Sequence, residues 1–88
     1  METVLLIDAE HFSQTKIILS PGETAEEPPT ETQSTQTIYV QSGIGFMKTS
    51  TERRPLSSRG FEVIQVDSQL EISNTGPTLL TVILTVGK

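Results

Sequence analysis

Few residues in this chain of 88 could carry out chemistry, and they do not cluster. His11 is the single histidine and cysteine is absent, which excludes a disulfide, a thiolate metal site and a set of several histidine ligands. A lone histidine could still serve as a general base. Because His11 lies in a short segment between two strand-like runs, we interpret it as a partly exposed turn residue. We therefore predict neither catalytic residues nor metal ligands.

Acidic residues concentrate in one segment, at about 23–35. The segment contains four glutamates, two adjacent prolines and several threonines, and almost nothing that could be buried. Its glutamates lack the alternating spacing and the glycine of a calcium-binding loop. We predict a mobile, solvated loop here.

Basic residues form a second charged feature. Four of the six lysine and arginine residues make up this basic cluster, namely Lys48, Arg53, Arg54 and Arg59. The cluster could dock an acidic protein partner or phosphate groups. The alternative is an ordinary charged hairpin that balances the acidic segment.

The net charge and the hydropathy of the chain argue against nucleic acids and membranes as partners. The net charge of −5 disfavours direct nucleic-acid binding by the surface as a whole. The apolar run at 4–7 is short and flanked by acids, so we expect no signal peptide. No segment has the length of a membrane span, and no membrane association is expected.

The elements that must position these residues are β-strands. Eight short runs have strand-like patterns and are separated by turn residues: 3–8, 15–20, 37–41, 44–48, a run from 55, 60–66, 70–73 and 79–86. No stretch combines the length and the periodicity of a helix. We predict one all-β domain over residues 1–88, a sandwich or barrel of about seven to eight strands. Gly43 and Gly45 predict a tight turn or bulge, and we place Phe46 and Phe61 in the core.

The last run is apolar on both of its faces, which a small barrel without helices cannot cover by itself. A second copy of the chain is the simplest cover. The candidate interface residues are Leu79, Leu80, Val82, Leu84 and Val86. The alternative is that the second sheet or the N-terminal strand covers this run.

The order of turns and strands resembles that of a small cupin, a minimal jelly-roll barrel. The first cupin motif resembles Pro21-Gly22 followed by the strand at 37–41 and Gly43. The second resembles Leu56, Gly60, the turn at 67–68 and the corner at 74–76, followed by the long closing strand. The resemblance implies a cupin-like jelly roll over about residues 15 to 86.

The metal ligands of that family do not carry over. The glutamate position of the first motif falls on Gln36, and its two histidine positions fall within 29–32, where no histidine occurs. The histidine position of the second motif falls on Leu70, with Glu71 as the alternative. Such a barrel needs imidazole and carboxylate ligands to hold a transition metal. We therefore expect no metal and no other cofactor.

Among cupins without metal ligands, the chain is most similar to the C-terminal dimerisation domain of the centromere protein C family. The shared features are the pattern at 38–43, the basic-to-polar hairpin, the segment at 60–63, the corner at 72–74 and a final apolar strand that ends in Lys88. This resemblance implies a non-catalytic module for homodimerisation and protein docking in an inner-kinetochore protein. It also implies an intracellular, nuclear location.

Two alternatives stay open at this point. One is a ligand-binding or metal-independent cupin enzyme, similar to sugar-nucleotide epimerases, whose acid/base groups would have to come from His11, Tyr39, Glu62 and Glu71. The other is a viral structural jelly roll, which a cysteine-free, threonine-rich chain also suits.

Overall fold

Nine β-strands and their connecting turns make up the part of the chain that the structure describes. The computed structural model describes residues 1–27, 34–49, 52–66 and 70–87. The strands are β1 (Glu2–Asp8), β2 (Phe12–Leu19), β3 (Thr24–Glu27), β4 (Ser34–Ser42), β5 (Gly45–Lys48), β6 (Arg53–Leu56), β7 (Phe61–Val66), β8 (Leu70–Asn74) and β9 (Leu80–Gly87).

The strands pair antiparallel and form two sheets. The larger sheet has the order β1-β2-β9-β4-β7, and the smaller sheet has the order β3-β8-β5-β6. β9 is the middle strand of the larger sheet, as its nearly continuous apolar sequence predicts. The sheets enclose one core between them, so the predicted all-β jelly roll is confirmed.

The core consists of side chains from alternate positions on each strand. On β9, Leu80, Val82 and Leu84 are buried, and the residues between them are only partly buried. Met47 on β5 and Ile72 on β8 are buried in the same core. Full burial of one such side chain stabilises the fold by about 1.5–3 kcal/mol. The buried apolar residues among those described are Ile17, Leu19, Ala25, Ile38, Val40, Met47, Leu56, Leu70, Ile72, Leu80, Val82 and Leu84.

The predicted loop at about 23–35 was too long at both ends. Thr24–Glu27 forms β3, which pairs with β8, and residues 34 and 35 begin β4. Residues 28–33 lie outside the described residues. The sequence did not reveal β3 because the strand is short and polar, and the one apolar side chain that it places in the core is the small Ala25. The described part therefore has nine strands rather than about seven or eight.

An ion pair links β6, an edge of the smaller sheet, to β7, an edge of the larger sheet. The Arg54 guanidinium donates a hydrogen bond of 2.9 Å to the Glu62 carboxylate and also pairs with Glu52. The hydrogen bond to Glu62, followed by the charge of Glu52, raises the pKa of Arg54. Because Glu62 lies opposite the buried Ile38, it points inwards and its neighbour Phe61 points outwards. Phe61 is 59% exposed, so its predicted place in the core was wrong.

Asn74, the last residue of β8, hydrogen-bonds the smaller sheet to the larger one. Its buried Nδ2 donates to the carbonyl oxygens of Leu19 and Thr78, both at 2.8 Å, and its Oδ1 accepts from the Gly76 amide at 3.0 Å. Leu19 ends β2, and Thr78 lies in the loop that leads into β9. The backbone of Asn74 also exchanges two hydrogen bonds with the turn at 22–23. One residue thus satisfies backbone groups of several separate segments.

We predict that Asn74→Asp destabilises the fold at pH 7 by about 3–5 kcal/mol, because it turns a buried charge towards two carbonyl oxygens. Asn74→Ala should cost about 1–3 kcal/mol, since it only leaves those carbonyls and the Gly76 amide without a partner. The folded-state pKa of the introduced carboxyl would lie above its unfolded value. The extra penalty should therefore shrink as the pH falls through the folded-state pKa, and it should be absent below the unfolded-state pKa.

Urea unfolding of both variants and the wild type at pH 7 and pH 4 checks this prediction. Equal losses for the two variants at pH 7, or a loss for Asn74→Asp that does not change with pH, would contradict it.

Gly43 holds a turn between β4 and β5 against the start of β9. Its φ is 93°, and a Cβ atom there would lie 2.5 Å from the Leu79 carbonyl oxygen and 2.8 Å from the Leu80 Cα. Gly22 has a similar φ of 85°, but a Cβ atom there would meet nothing within 4 Å. Gly43 thus lies in the connection between β4 and β5 at a close approach of two backbones, and Gly45 already belongs to β5.

We predict that Gly43→Ala lowers the free energy of unfolding by about 2–4 kcal/mol, because it adds a backbone clash to the strain of positive φ. Gly22→Ala is the matched control, since it adds the strain alone, and should cost about 1 kcal/mol. Chemical denaturation measures both values. Similar losses for the two variants would show that the close approach at Gly43 does not matter.

Candidate functional site

The side chains at the metal-ligand positions of the cupin pattern do not fit a metal. Gln36 is buried, and Leu70 is buried with it in the interior. Glu71, the alternative to Leu70, lies on the other face of β8 and points away from the core. An amide and an aliphatic side chain do not supply the imidazole and carboxylate groups that a transition metal requires. Across the described ranges, no three His, Cys, Asp or Glu side chains lie close enough to share a metal ion. The two positions predicted within 29–32 lie outside those ranges.

Gln36 brings an unsatisfied hydrogen-bond acceptor into the interior. The residue is 2% exposed, and its Oε1 has no hydrogen-bond partner among the described residues. Leaving such an acceptor buried costs about 1–3 kcal/mol. A bound ligand or an ordered water is the usual partner of a buried polar atom that the protein itself does not satisfy.

We predict that Gln36→Leu raises the free energy of unfolding of the ligand-free chain by about 1–2 kcal/mol, because it removes the unsatisfied acceptor and keeps a similar volume. Gln41→Leu, at an exposed position of the same strand, should change stability by less than about 0.5 kcal/mol. Urea denaturation measures both. A clear loss of stability for Gln36→Leu would mean that the Gln36 amide is satisfied in solution.

The four acid/base candidates do not converge. His11 is exposed in the turn between β1 and β2. Tyr39 lies on the outer face of the larger sheet, and Glu71 lies on the outer face of the smaller one, so the core separates them. Glu62 is bound by Arg54. These residues form no acid/base pair in the structure, and the absence of enzymatic activity stays a prediction.

The structure divides the basic cluster. Lys48 and Arg53 lie directly opposite each other on β5 and β6, and both are exposed. The Arg53 guanidinium lies 4.1 Å from the centroid of the Phe46 ring, a cation–π geometry. Arg54 turns to the other face and pairs with carboxylates, and Arg59 lies in a separate turn with a φ of 66°. Phe46 is only partly buried and lies on the outer face of the smaller sheet, so its predicted place in the core was wrong. Lys48, Arg53 and Phe46 thus share one surface, and its role in docking a partner stays a prediction.

The strand predicted to form the dimer interface contributes chiefly to the core. Leu80, Val82 and Leu84 are buried between the sheets, where a second chain cannot contact them while the sheets stay closed. The interface prediction is therefore wrong for these three residues, and the alternative of cover by the second sheet applies to them. Leu79 is exposed in the loop before β9, and Val86 packs partly buried against the core.

Apolar side chains are exposed on the opposite face of the larger sheet instead. Tyr39 on β4 and Phe61 and Val63 on β7 are exposed there, as are Val4 and Ile7 on β1. The sequence prediction that Phe61 lies in the core does not reveal this face. The alternation of Phe61 and Val63 with Glu62 could have revealed the face only if Glu62 had been assigned to the interior.

Comparisons with known proteins show the fold. No protein-family model matches the chain, and no curated protein matches its sequence. The Cupin_2 domain of an XRE family transcriptional regulator from Enterobacter cloacae is similar, with a TM-score of 0.89 and 22% identity over 99% of this chain and 95% of that chain. This chain therefore has the cupin fold.

Two further solved structures are similar over a smaller share of their own length. The cupin domain of Cnp3 from Schizosaccharomyces pombe has a TM-score of 0.81 and 12% identity, over 98% of this chain and 59% of that chain. An HTH_3 family transcriptional regulator from Vibrio cholerae has a TM-score of 0.83 and 13% identity, over 98% of this chain and 49% of that chain. In the ranges that the structure describes, no helix is suited to span a membrane.

Proposed function

We propose that this chain is a non-catalytic module for homodimerisation and protein docking. The observation that carries the proposal is apolar surface on one face of the larger sheet, where five large apolar side chains are exposed: Val4, Ile7, Tyr39, Phe61 and Val63. A large apolar area on a protein surface usually marks an interaction site. A second copy of the chain covers such an area with the fewest assumptions, because two-fold association buries the same area twice.

β1 adds further exposed apolar surface that a partner chain could cover. It borders β2 alone in the larger sheet, and all seven of its residues are exposed. Four consecutive apolar residues, Val4 to Ile7, occupy both of its faces. An edge strand of this kind associates with other chains unless something covers it. The chain without a partner would be prone to aggregate.

We predict that the purified chain has a molar mass twice the 9.6 kDa of one copy. Light scattering during size-exclusion chromatography, over a concentration series, measures it. Because an apolar interface depends little on ionic strength, the dimer should persist in 1 M salt. A monomer mass at the highest concentration would refute the proposed homodimer.

Such a dimer would serve a longer protein by holding two copies of it together. Regulator cupin domains and the Cnp3 cupin domain are among the similar structures, but at 12–22% identity they support the fold alone. The sequence resemblance to the centromere protein C family favours an inner-kinetochore role, in the nucleus. The exposed pair of Lys48 and Arg53 would suit an acidic segment of a second protein partner.

Gln36 favours a second candidate function, which is binding of a small polar ligand inside the barrel. Its buried Oε1 could accept a hydrogen bond from a hydroxyl or amide donor. A library of sugars and small amides screened by thermal shift tests this function. A compound that raises the Tm of the wild type but not of Gln36→Leu would support it, and a compound that stabilises both alike would not.

A further inference from the structure

We propose that the outer face of the larger sheet is the homodimer interface and that a second copy of this chain occupies it. The inference rests on the proposed function, because it names the surface through which the two copies would associate. The proposed interface consists of side chains that point outwards from β9 and its neighbouring strands, and not of the side chains that β9 places in the core.

The strand registers line up side chains across this face. Directly opposed residues of an antiparallel pair share a face, and the buried phase of β4 and β9 shows which face is outer. One row crosses all five strands through Val4, Lys16, Ile83, Tyr39 and Phe61. The next row runs through Ile7, Gln14, Thr85, Thr37 and Val63. Large apolar side chains thus stand at both ends of each row.

The polar groups at the middle of the face are suited to burial. The Gln14 Nε2 donates a hydrogen bond of 3.2 Å to the Thr85 Oγ1, so these two side chains already satisfy each other in part. Ile83 stands beside them on β9, the middle strand. This hydrogen bond reduces the number of polar atoms at the centre that a partner chain would have to satisfy.

Charge on the face is sparse and balanced, which favours a copy of the same face as its occupant. The registers of the described strands place one acid, Glu2, and one base, Lys16, on it. Neither makes an ion pair with another described residue. Across a two-fold axis along β9, neither would meet the same residue of the second copy, since β1 and β2 both lie on one side of that strand. The chain's net charge of −5 opposes self-association, and this face avoids that repulsion. Low charge combined with aromatic residues is typical of the centre of a protein interface.

The area of the face is sufficient. Five strands about 4.8 Å apart, each about eight residues long at about 3.3 Å per residue, span a face of about 24 by 26 Å. Its flat projection is about 600 Å², and the accessible surface of the side chains that stand on it is larger. A stable dimer buries about 800 Å² on each partner. The face therefore matches a standard interface without a contribution from the loops.

The two ends of each row are complementary in shape. The β1 end presents the aliphatic Val4 and Ile7, and the other end presents the aromatic Tyr39 and Phe61. A two-fold axis along β9 would lay the aliphatic end of one copy on the aromatic end of the other. Aliphatic and aromatic side chains pack well against each other across paired surfaces.

Val63→Glu and Leu79→Glu form a matched pair of variants that tests the proposal. Both residues are 54% exposed in the single chain, but Val63 lies on the proposed interface and Leu79 lies in the loop before β9. The dimer dissociation constant of Val63→Glu should rise at least about 100-fold, since each substitution counts twice in a two-fold interface. That of Leu79→Glu should stay within a few-fold of wild type. Light scattering gives the masses, and far-ultraviolet circular dichroism checks folding. If Val63→Glu does not fold, Phe61→Glu repeats the test at a second position.

The outcomes separate this inference from the proposed function. A wild-type dimer that Val63→Glu dissociates and Leu79→Glu does not would support both. A wild-type dimer that survives Val63→Glu, or that both variants dissociate alike, would overturn the choice of face and leave the homodimer standing. A wild-type monomer at every concentration would overturn the proposed function, and this inference with it.

Discussion

The closure of the two sheets depends on the buried amide of Asn74. Its side chain connects the end of β8 to the end of β2 and to the loop before β9, so it joins the smaller sheet to two parts of the larger one. The Arg54–Glu62 pair links the edges β6 and β7, but its side chains are partly exposed, and exposed ion pairs contribute little to stability. The neutral amide is buried, and losing its hydrogen bonds would leave several backbone groups unsatisfied. The fold therefore relies on Asn74 far more than on the ion pair.

Much of the fold could be predicted from the sequence, and the failure at β7 has a physical cause. Hydrophobic alternation shows which side chains are buried only where one face of a strand meets the core and the other meets water. β9 is apolar on both faces, so its sequence does not show which of its side chains are buried in the core. β8 satisfies that condition, and its boundaries and buried positions follow the pattern. β7 does not, because at the sheet edge Arg54 lets Glu62 point inwards while Phe61 points outwards. The position of Arg54 depends on how β6 and β7 meet, which no local pattern reveals.

At the candidate sites, too, the sequence predicts which residues occupy a position on a strand but not which distant residues they contact. The sequence located the ligand positions at Gln36 and at Leu70 or Glu71, and strand alternation then decides for Leu70 as the inward-facing residue. That the Gln36 acceptor is unsatisfied could not be predicted, since it depends on every neighbour in the core. Arg53 and Arg54 are adjacent in sequence but lie on opposite faces of β6, as period-two geometry requires. A cluster of charges along a strand is therefore not a cluster in space.

The central position of β9 has a consequence for how the chain folds during synthesis. β9 separates β2 from β4, so Lys16 and Tyr39 both lie next to Ile83, far later in the sequence. Until residues 80–87 have been made, β2 and β4 each lack the neighbour that completes their hydrogen bonds within the sheet. Pairings between distant parts of a chain form slowly, and unpaired strand edges attract other chains in the meantime. The nascent protein would thus depend on prompt synthesis of residues 80–87, or on a chaperone that shields those edges until β9 is available.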